Sequence, residues 1–239
     1  MTDPGIDLDD VDFEQLYQGK TGVGPVMPWD IGAPQPALVA VESAGEIGED
    51  VLDVGCGLGD NAIFLASRGH RVTGVDGSVT ALRQARERAA AQGVEVEFAE
   101  ADATRLDGFE NRFDTVVDSA LYHCLDEEAR RAYVDALTRA AKPGARLHIF
   151  CFPEGLPESF PVPFLISERD LREKVGKDWT ITRLEKAVYT TSMTRDSMVA
   201  MIQAVEPERE IDQAALAEFD VDERGRIQVP VWQLTAVLP

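Results

Sequence analysis

Cysteine is scarce. Cys56, Cys124 and Cys151 stand far apart with no C-x-x-C pair, which argues against a disulfide framework or a cysteine zinc site and fits a reducing cytoplasm. Basic residues are outnumbered: 23 Lys and Arg face 43 Asp and Glu, a net charge of -20 with histidine neutral. Such a field repels phosphate backbones and anionic lipid, so neither nucleic acid nor a membrane surface is an expected partner. No run reaches the roughly 18 continuous apolar residues of a membrane span. The first residues, MTDPGIDLDD, are acidic where a secretory leader would be basic and then apolar, and no export or anchoring is expected. What is there is ordinary for a folded protein: 44% hydrophobic and 28% charged residues over 239 positions, enough for one domain with a sizeable core.

From Val51 to Phe152 short β-rich runs alternate with amphipathic helical runs, the pattern of a parallel sheet covered by helices. Strands are expected at Val51 to Val54, Arg71 to Val75, Val94 to Phe98, Thr115 to Asp118 and Arg146 to Phe152. Crossover helices are expected at Asp60 to Arg68, Val79 to Gln92 and Glu127 to Ala141, each followed by a glycine or Lys142-Pro143-Gly144 as a stop. Pro153, Pro157, Pro161 and Pro163 then impose a loop, because proline brings no backbone donor. Ser167 reads as a helix cap, and Trp179 to Leu184 and Gln228 to Val237 as two further strands. The expected organisation is a single domain over 1–239, with residues 1–40 as an amino-terminal lid and residues 190–226 as an insertion before the last strand.

The segment Asp53-Val54-Gly55-Cys56-Gly57-Leu58-Gly59-Asp60 runs from a buried-type strand through a glycine-rich turn into a helix. Alternating glycines let the backbone turn tightly and approach a ligand, and the free N–H groups of the following helix point at it. Asp76 ends the next strand, about 20 residues on, where doubly wound nucleotide folds place an acid for ribose hydroxyls. A pyrophosphate cofactor would favour G-x-G-x-x-G; here the glycines alternate strictly and an acid, Asp53, precedes them, which suits an ammonium group better than a phosphate.

DVGCGLG, GVDGS, EADAT and FDTVVDSALYH together resemble the class I methyltransferases that use S-adenosylmethionine. The upstream stretch Met27-Pro28-Trp29-Asp30-Ile31-Gly32-Ala33-Pro34-Gln35-Pro36 resembles the small-molecule branch of heterocyclic-toxin and thiopurine-type enzymes. The resemblance implies a Rossmann-like α/β fold: a doubly wound, seven-stranded, mostly parallel sheet with helices on both faces and an antiparallel last strand. It also implies S-adenosylmethionine as cofactor, S-adenosylhomocysteine as product, a small aromatic or heterocyclic acceptor methylated on O, N or S, and no metal. Asp53, Gly55, Cys56 and Gly57 would meet the methionine part, with Trp29 packed over it. Asp76 would hold the ribose, Gly77 and Ser78 would flank the adenosine, and Asp102 and Ala103 would read the adenine edge. Asp118 and Ser119 would stand beside the methionine part at the entrance for the acceptor.

His123 is the candidate base, since imidazole is the side chain suited to taking a phenol, N–H or thiol proton near neutral pH. Tyr17, Tyr122 and Phe152, with Phe160, Phe164, Met193 and Met198, supply a candidate apolar acceptor pocket. His70 and His148 read as structural. Two alternatives stay open: a thiol, halide or tellurite acceptor, and a cofactor-binding module without turnover.

Overall fold

The structure, a computed structural model, describes residues 12–20, 27–156, 162–205, 208, 210–211 and 213–239. Pro157, Phe160 and Pro161 therefore lie outside the described residues, as do residues 1–11 and 21–26 of the expected lid.

The elements run α1 (Phe13–Tyr17), α2 (Pro36–Ser43), β1 (Asp50–Val54), α3 (Asp60–Ser67), β2 (Arg71–Asp76), α4 (Val79–Gln92), β3 (Glu97–Glu100) and β4 (Phe113–Ser119). There follow a short 3₁₀ turn (Tyr122–Cys124), α5 (Glu127–Ala140), β5 (Ala141–Cys151), α6 (Glu168–Lys174), β6 (Thr180–Thr194), α7 (Arg195–Val205), α8 (Gln213–Ala217), β7 (Asp220–Val221) and β8 (Arg226–Val237). The sheet order is β3-β2-β1-β4-β5-β8-β6, with the two-residue β7 pairing on β8. Strands β1 to β5 pair in parallel, while β8 enters antiparallel between β5 and β6. The doubly wound sheet with an antiparallel last strand is thus what the chain forms.

Strand alternation distributes the apolar residues to two cores. Val51 and Val117 face one side with Leu38, Ile63 and Leu82 of α2, α3 and α4. Leu52, Val54 and Val116 face the other with Tyr133 and Leu137 of α5 and Leu171 of α6. Because β1, β2 and β4 run the same way, their carboxyl ends come to one rim of the sheet, where a doubly wound fold leaves a crevice for ligands.

Three boundaries depart from the sequence expectation for local reasons. The third strand starts at Glu97 rather than Val94, because Gly93 caps α4 with φ of 67° and Val94 N–H donates back to Ala89 O. Strand β5 begins at Ala141, through the Lys142-Pro143-Gly144 stop, since Ala141 pairs with Phe113 ahead of a register shift. Strand β6 runs on from Leu184 to Thr194: β8 pairs with it as far as Thr190 and again at Thr194, so the first residues of the 190–226 interval belong to this strand, and α7, α8 and β7 follow it.

Candidate functional site

The glycine turn folds as its spacing demands. Gly55, Gly57 and Gly59 have φ of 68°, 52° and 83°, the left-handed region that costs side chains with a Cβ. Gly55 N–H and Cys56 N–H both donate to Val75 O, at 2.8 and 3.0 Å, fastening the turn to β2. A Cβ at Gly57 would stand 2.8 Å from the Tyr17 hydroxyl, and one at Gly59 would stand 2.9 Å from the Phe98 ring. The first contact keeps the roof close over the loop; the second lets α3 pack against β3 and α4.

This turn floors a cavity of about 1040 Å³. In sheet order, Asp53, Asp76, Gly77, Ser78, Asp102 and Ala103 line it at and beyond the ends of β1, β2 and β3, while Ser119, His123, Cys124, Leu125, Phe152, Tyr189, Thr191 and Met193 line it from β4, β5, β6 and the turns that follow β4 and β5. Tyr17, Trp29, Gly55, Cys56 and Gly57 also line it. Four expected residues, Asp118, Tyr122, Phe164 and Met198, do not. Asp118 is fully buried, its Oδ1 accepting from Leu121 N–H (2.9 Å) and Tyr122 N–H (3.3 Å) and its Oδ2 from the Tyr133 hydroxyl (2.8 Å). Tyr122 turns to the α5 side, where its hydroxyl donates to Asp170 Oδ1 at 2.8 Å. Period-two alternation separates Asp118 from the cavity, since it shares the face of Val116 and Tyr133 while Ser119 shares that of Val117; Tyr122 lies past the strand, on the 3₁₀ turn. Phe164 packs under the Arg130 guanidinium and Met198 is buried in the core, so neither lines the cavity.

Asp53 is 1% exposed and its Oδ2 has no hydrogen-bond partner. Burial first, and then the charges of Asp118 and Asp76, push its carboxyl up to about 7. Asp118 is pushed up to about 6 by burial, against the pull of its three donors. Asp76 is also raised by burial; its Oδ2 accepts from Gly57 N–H and its Oδ1 from Ser78 N–H, each at 2.8 Å, leaving further lone pairs on each oxygen. Asp102 forms a local turn, accepting from Thr104 N–H at 2.9 Å.

On the uncharged side, burial drives the His123 imidazole down to about 3, so it is neutral at physiological pH. Its Nδ1 is buried without a partner and its ring packs 4.6 Å from that of Phe152. Ser119 Oγ is buried beside the Tyr189 phenol without completing a hydrogen bond. Burial raises the Cys124 thiol to about 12 and the Cys56 thiol well above its ordinary value, so both are protonated. His70 Nδ1 lies 2.7 Å from Gly48 O, and His148 sits between Thr235 Oγ1 and Glu46 O; both are structural.

The amino-terminal segment roofs the cavity. Trp29 Nε1 donates to the Tyr17 hydroxyl at 2.9 Å, and the Phe13 ring packs 5.9 Å from Trp29. Several residues that hold the roof carry no signal in a linear reading. Glu14 accepts from Ser78 Oγ, from Thr80 N–H at 3.1 Å and from Thr80 Oγ1, which latches α1 onto the start of α4. Arg88 bridges Asp30 and Asp60. Gln35 accepts from Thr190 N–H at 3.1 Å and donates to Thr190 O at 3.0 Å, and its own N–H donates to Asn61 Oδ1. Asp30, Gln35, Asp60 and Ser78 stood in segments already singled out; their partners Arg88, Thr190 and Glu14 lie elsewhere in the chain.

A family profile described as a methyltransferase domain matches residues 51–144. Over 179 residues, 73% of this chain and 79% of the relative, the sequence is 37% identical to the 2-heptyl-1-hydroxyquinolin-4(1H)-one methyltransferase of Mycobacteroides abscessus. A structure solved for the conversion of a disulfide bond into a thioacetal group during echinomycin biosynthesis superposes with a TM-score of 0.76 at 33% identity, covering 95% of this chain and 90% of that one. An S-adenosylmethionine-dependent methyltransferase from Anabaena variabilis shares the fold, with a TM-score of 0.70 at 14% identity over 96% of each chain.

Proposed function

Because the chain belongs to the S-adenosylmethionine-dependent methyltransferases, we propose that it methylates O, N or S of a small, uncharged aromatic or heterocyclic acceptor. The observation that carries this reading is the division of one cavity into an acid-lined half and an uncharged half. The acid-lined half fits S-adenosylmethionine on two counts: Asp53 Oδ2 is a buried carboxylate oxygen in want of a cation, and any Cβ at Gly57 would meet the roof. Asp53 would hold the ammonium, Asp76 the ribose hydroxyls, and Asp102 with the Ala103 backbone the adenine edge. Ser78, whose hydroxyl is committed to Glu14, serves by keeping the roof shut. Trp29 and Tyr17 exclude water from above.

When bound, the cofactor supplies the activated methyl group; the chain's own residues align the acceptor and handle its proton. His123, neutral and with an unpartnered Nδ1, accepts the acceptor's proton or hydrogen bond, and Ser119 offers a second polar contact. Phe152, Tyr189 and Met193 clamp the flat body of the acceptor. The relative's named acceptor, a hydroxyquinolinone with a heptyl chain, has the combination this half suits: a flat ring, a hydroxyl and an apolar tail. A thiol acceptor is the second reading, favoured by the weak basicity of His123.

The test is methyl transfer from labelled S-adenosylmethionine to a panel of hydroxyquinolinones, phenols and thiols. Transfer to at least one class is expected. Cofactor binding with transfer to none would return the chain to the reading of a binding module.

A further inference from the structure

Residues 119–125 join β4 to α5 and bring Ser119, Leu121, His123, Cys124 and Leu125 to the cavity, with no more regular structure than the 3₁₀ turn. Where this stretch stands therefore decides where an acceptor can sit. The side chain that fixes it does not line the cavity. Ala120 N–H donates to Phe150 O at 2.9 Å, carrying the β4–β5 ladder one residue past the strand. Ala120 itself then takes φ of 79°, and after this left-handed step the next N–H groups fold back on the strand end. Oδ1 of the buried Asp118 accepts two of them, from Leu121 at 2.9 Å and from Tyr122 at 3.3 Å, much as an aspartate caps the start of a helix. Its Oδ2 accepts from the Tyr133 hydroxyl at 2.8 Å, which ties the carboxylate to α5. At the far end Arg130 Nη1 donates to Leu125 O at 2.6 Å, so both ends of the stretch are held from behind.

The same cap seats Leu121 on the glycine turn. A Cβ on Gly55 would stand 3.0 Å from both Cβ and Cδ2 of Leu121, so the turn that floors the cavity and the stretch that carries Ser119 and His123 are in direct contact. Methyl transfer, the reaction proposed above and the premise of this inference, needs its two partners aligned and about 3 to 3.5 Å apart. We propose that Asp118 is a positioning residue: through the N–H groups of Leu121 and Tyr122 it sets the spacing between the glycine turn and the acceptor side of the cavity, and with it the distance from methyl donor to acceptor. It acts by its hydrogen bonds and not by its charge. Asn at this position keeps an oxygen for the two N–H groups, whereas Ala keeps none.

Asp118→Ala, Asp118→Asn and Leu121→Ala are compared with the wild-type chain by calorimetric binding of S-adenosylmethionine, by single-turnover transfer to 2-heptyl-1-hydroxyquinolin-4(1H)-one, the acceptor named for the relative, and by amide hydrogen exchange. Asp118→Ala is expected to bind the cofactor within about threefold of wild type yet transfer about 100-fold more slowly at saturating acceptor, with exchange protection lost at Leu121 and Tyr122. Asp118→Asn should recover both the rate and the protection. Leu121→Ala keeps the cap but removes the Cγ and Cδ2 atoms that meet Gly55, and should slow transfer about tenfold at unchanged cofactor affinity. A wild-type rate in Asp118→Ala would overturn the proposal, and so would an Asn variant as slow as the Ala variant, which would assign the effect to charge. If Asp118→Ala does not fold, Leu121→Ala decides: a wild-type rate there counts against the positioning role. Absence of transfer by the wild-type chain would count against the functional reading instead, and exchange then decides the positioning role, since Leu121 and Tyr122 amides left equally protected in Asp118→Ala would refute it.

Discussion

Asp53 is held against its own preference. An ordinary aspartate has its pKa near 3.8, whereas this one is pushed up to about 7, so the folded state takes up its proton more readily than the unfolded one. The sign follows: its penalty is absent below about pH 4, grows as pH rises through the window to about 7, and is complete above it. Asp53→Asn is expected to stabilise the ligand-free protein at pH 8 by on the order of 2 kcal/mol while weakening S-adenosylmethionine binding. Thermal melts with and without cofactor read both, and a lower ligand-free midpoint in the variant would refute the account. His123 and His148 act in the opposite sense. Burial lowers them to about 3 and about 4, so the unfolded chain binds their protons first and stability falls as pH drops below about 6.5. For catalysis, His123→Ala should slow transfer to a hydroxyl acceptor about 100-fold and leave a thiol acceptor nearly untouched; unchanged hydroxyl kinetics would remove the proton-accepting role. That Asp53 and Asp76 line the cavity was legible because each sits in a local motif. That Asp118 and Tyr122 turn away from it was not legible, because the direction of a residue at a strand end depends on which face the strand presents there, and that of Tyr122 on the turn that follows.

Short elements decide how the cavity is shaped. Helix α1 has five residues and would not persist alone; it is held by the Glu14 carboxylate, which Ser78 and Thr80 keep ionised down to about pH 2. Glu14→Ala is expected to quicken cofactor dissociation several-fold with little effect on the melting point, measurable by stopped-flow fluorescence of Trp29 against wild type. Between β4 and the 3₁₀ turn, Ala120 adopts φ of 79°, a conformation costing about 1 kcal/mol for a residue with a Cβ. Ala120→Gly should therefore raise unfolding free energy by about 1 kcal/mol, and denaturant titration showing a loss would mean that the methyl group's packing outweighs the strain. The sequence marks α4 and α5 well because their caps are chemical: Ser78 and Asp126 accept from the third residue beyond. It marks β6 poorly because this strand is paired on one side only and half exposed, so no clean apolar alternation announces its length.

At the scale of the molecule, the charge of -20 spreads a self-repulsion that no single ion pair relieves. Melting temperature should rise as sodium chloride screens it, and a flat or falling response would show that the repulsion is already locally compensated. The parallel half of the sheet was readable because each strand, helix and strand follow in order; the placing of β8 between β5 and β6 is a long-range pairing that no window of sequence displays. One such distant contact governs how the whole cavity behaves. Gln35 exchanges both its amide bonds with Thr190, and Ser192 adds bonds to the backbone of Met27 and Pro28. Roof and far wall are thus yoked like two leaves on one pin, and whatever lifts the first from the entering donor also draws the second away from the acceptor.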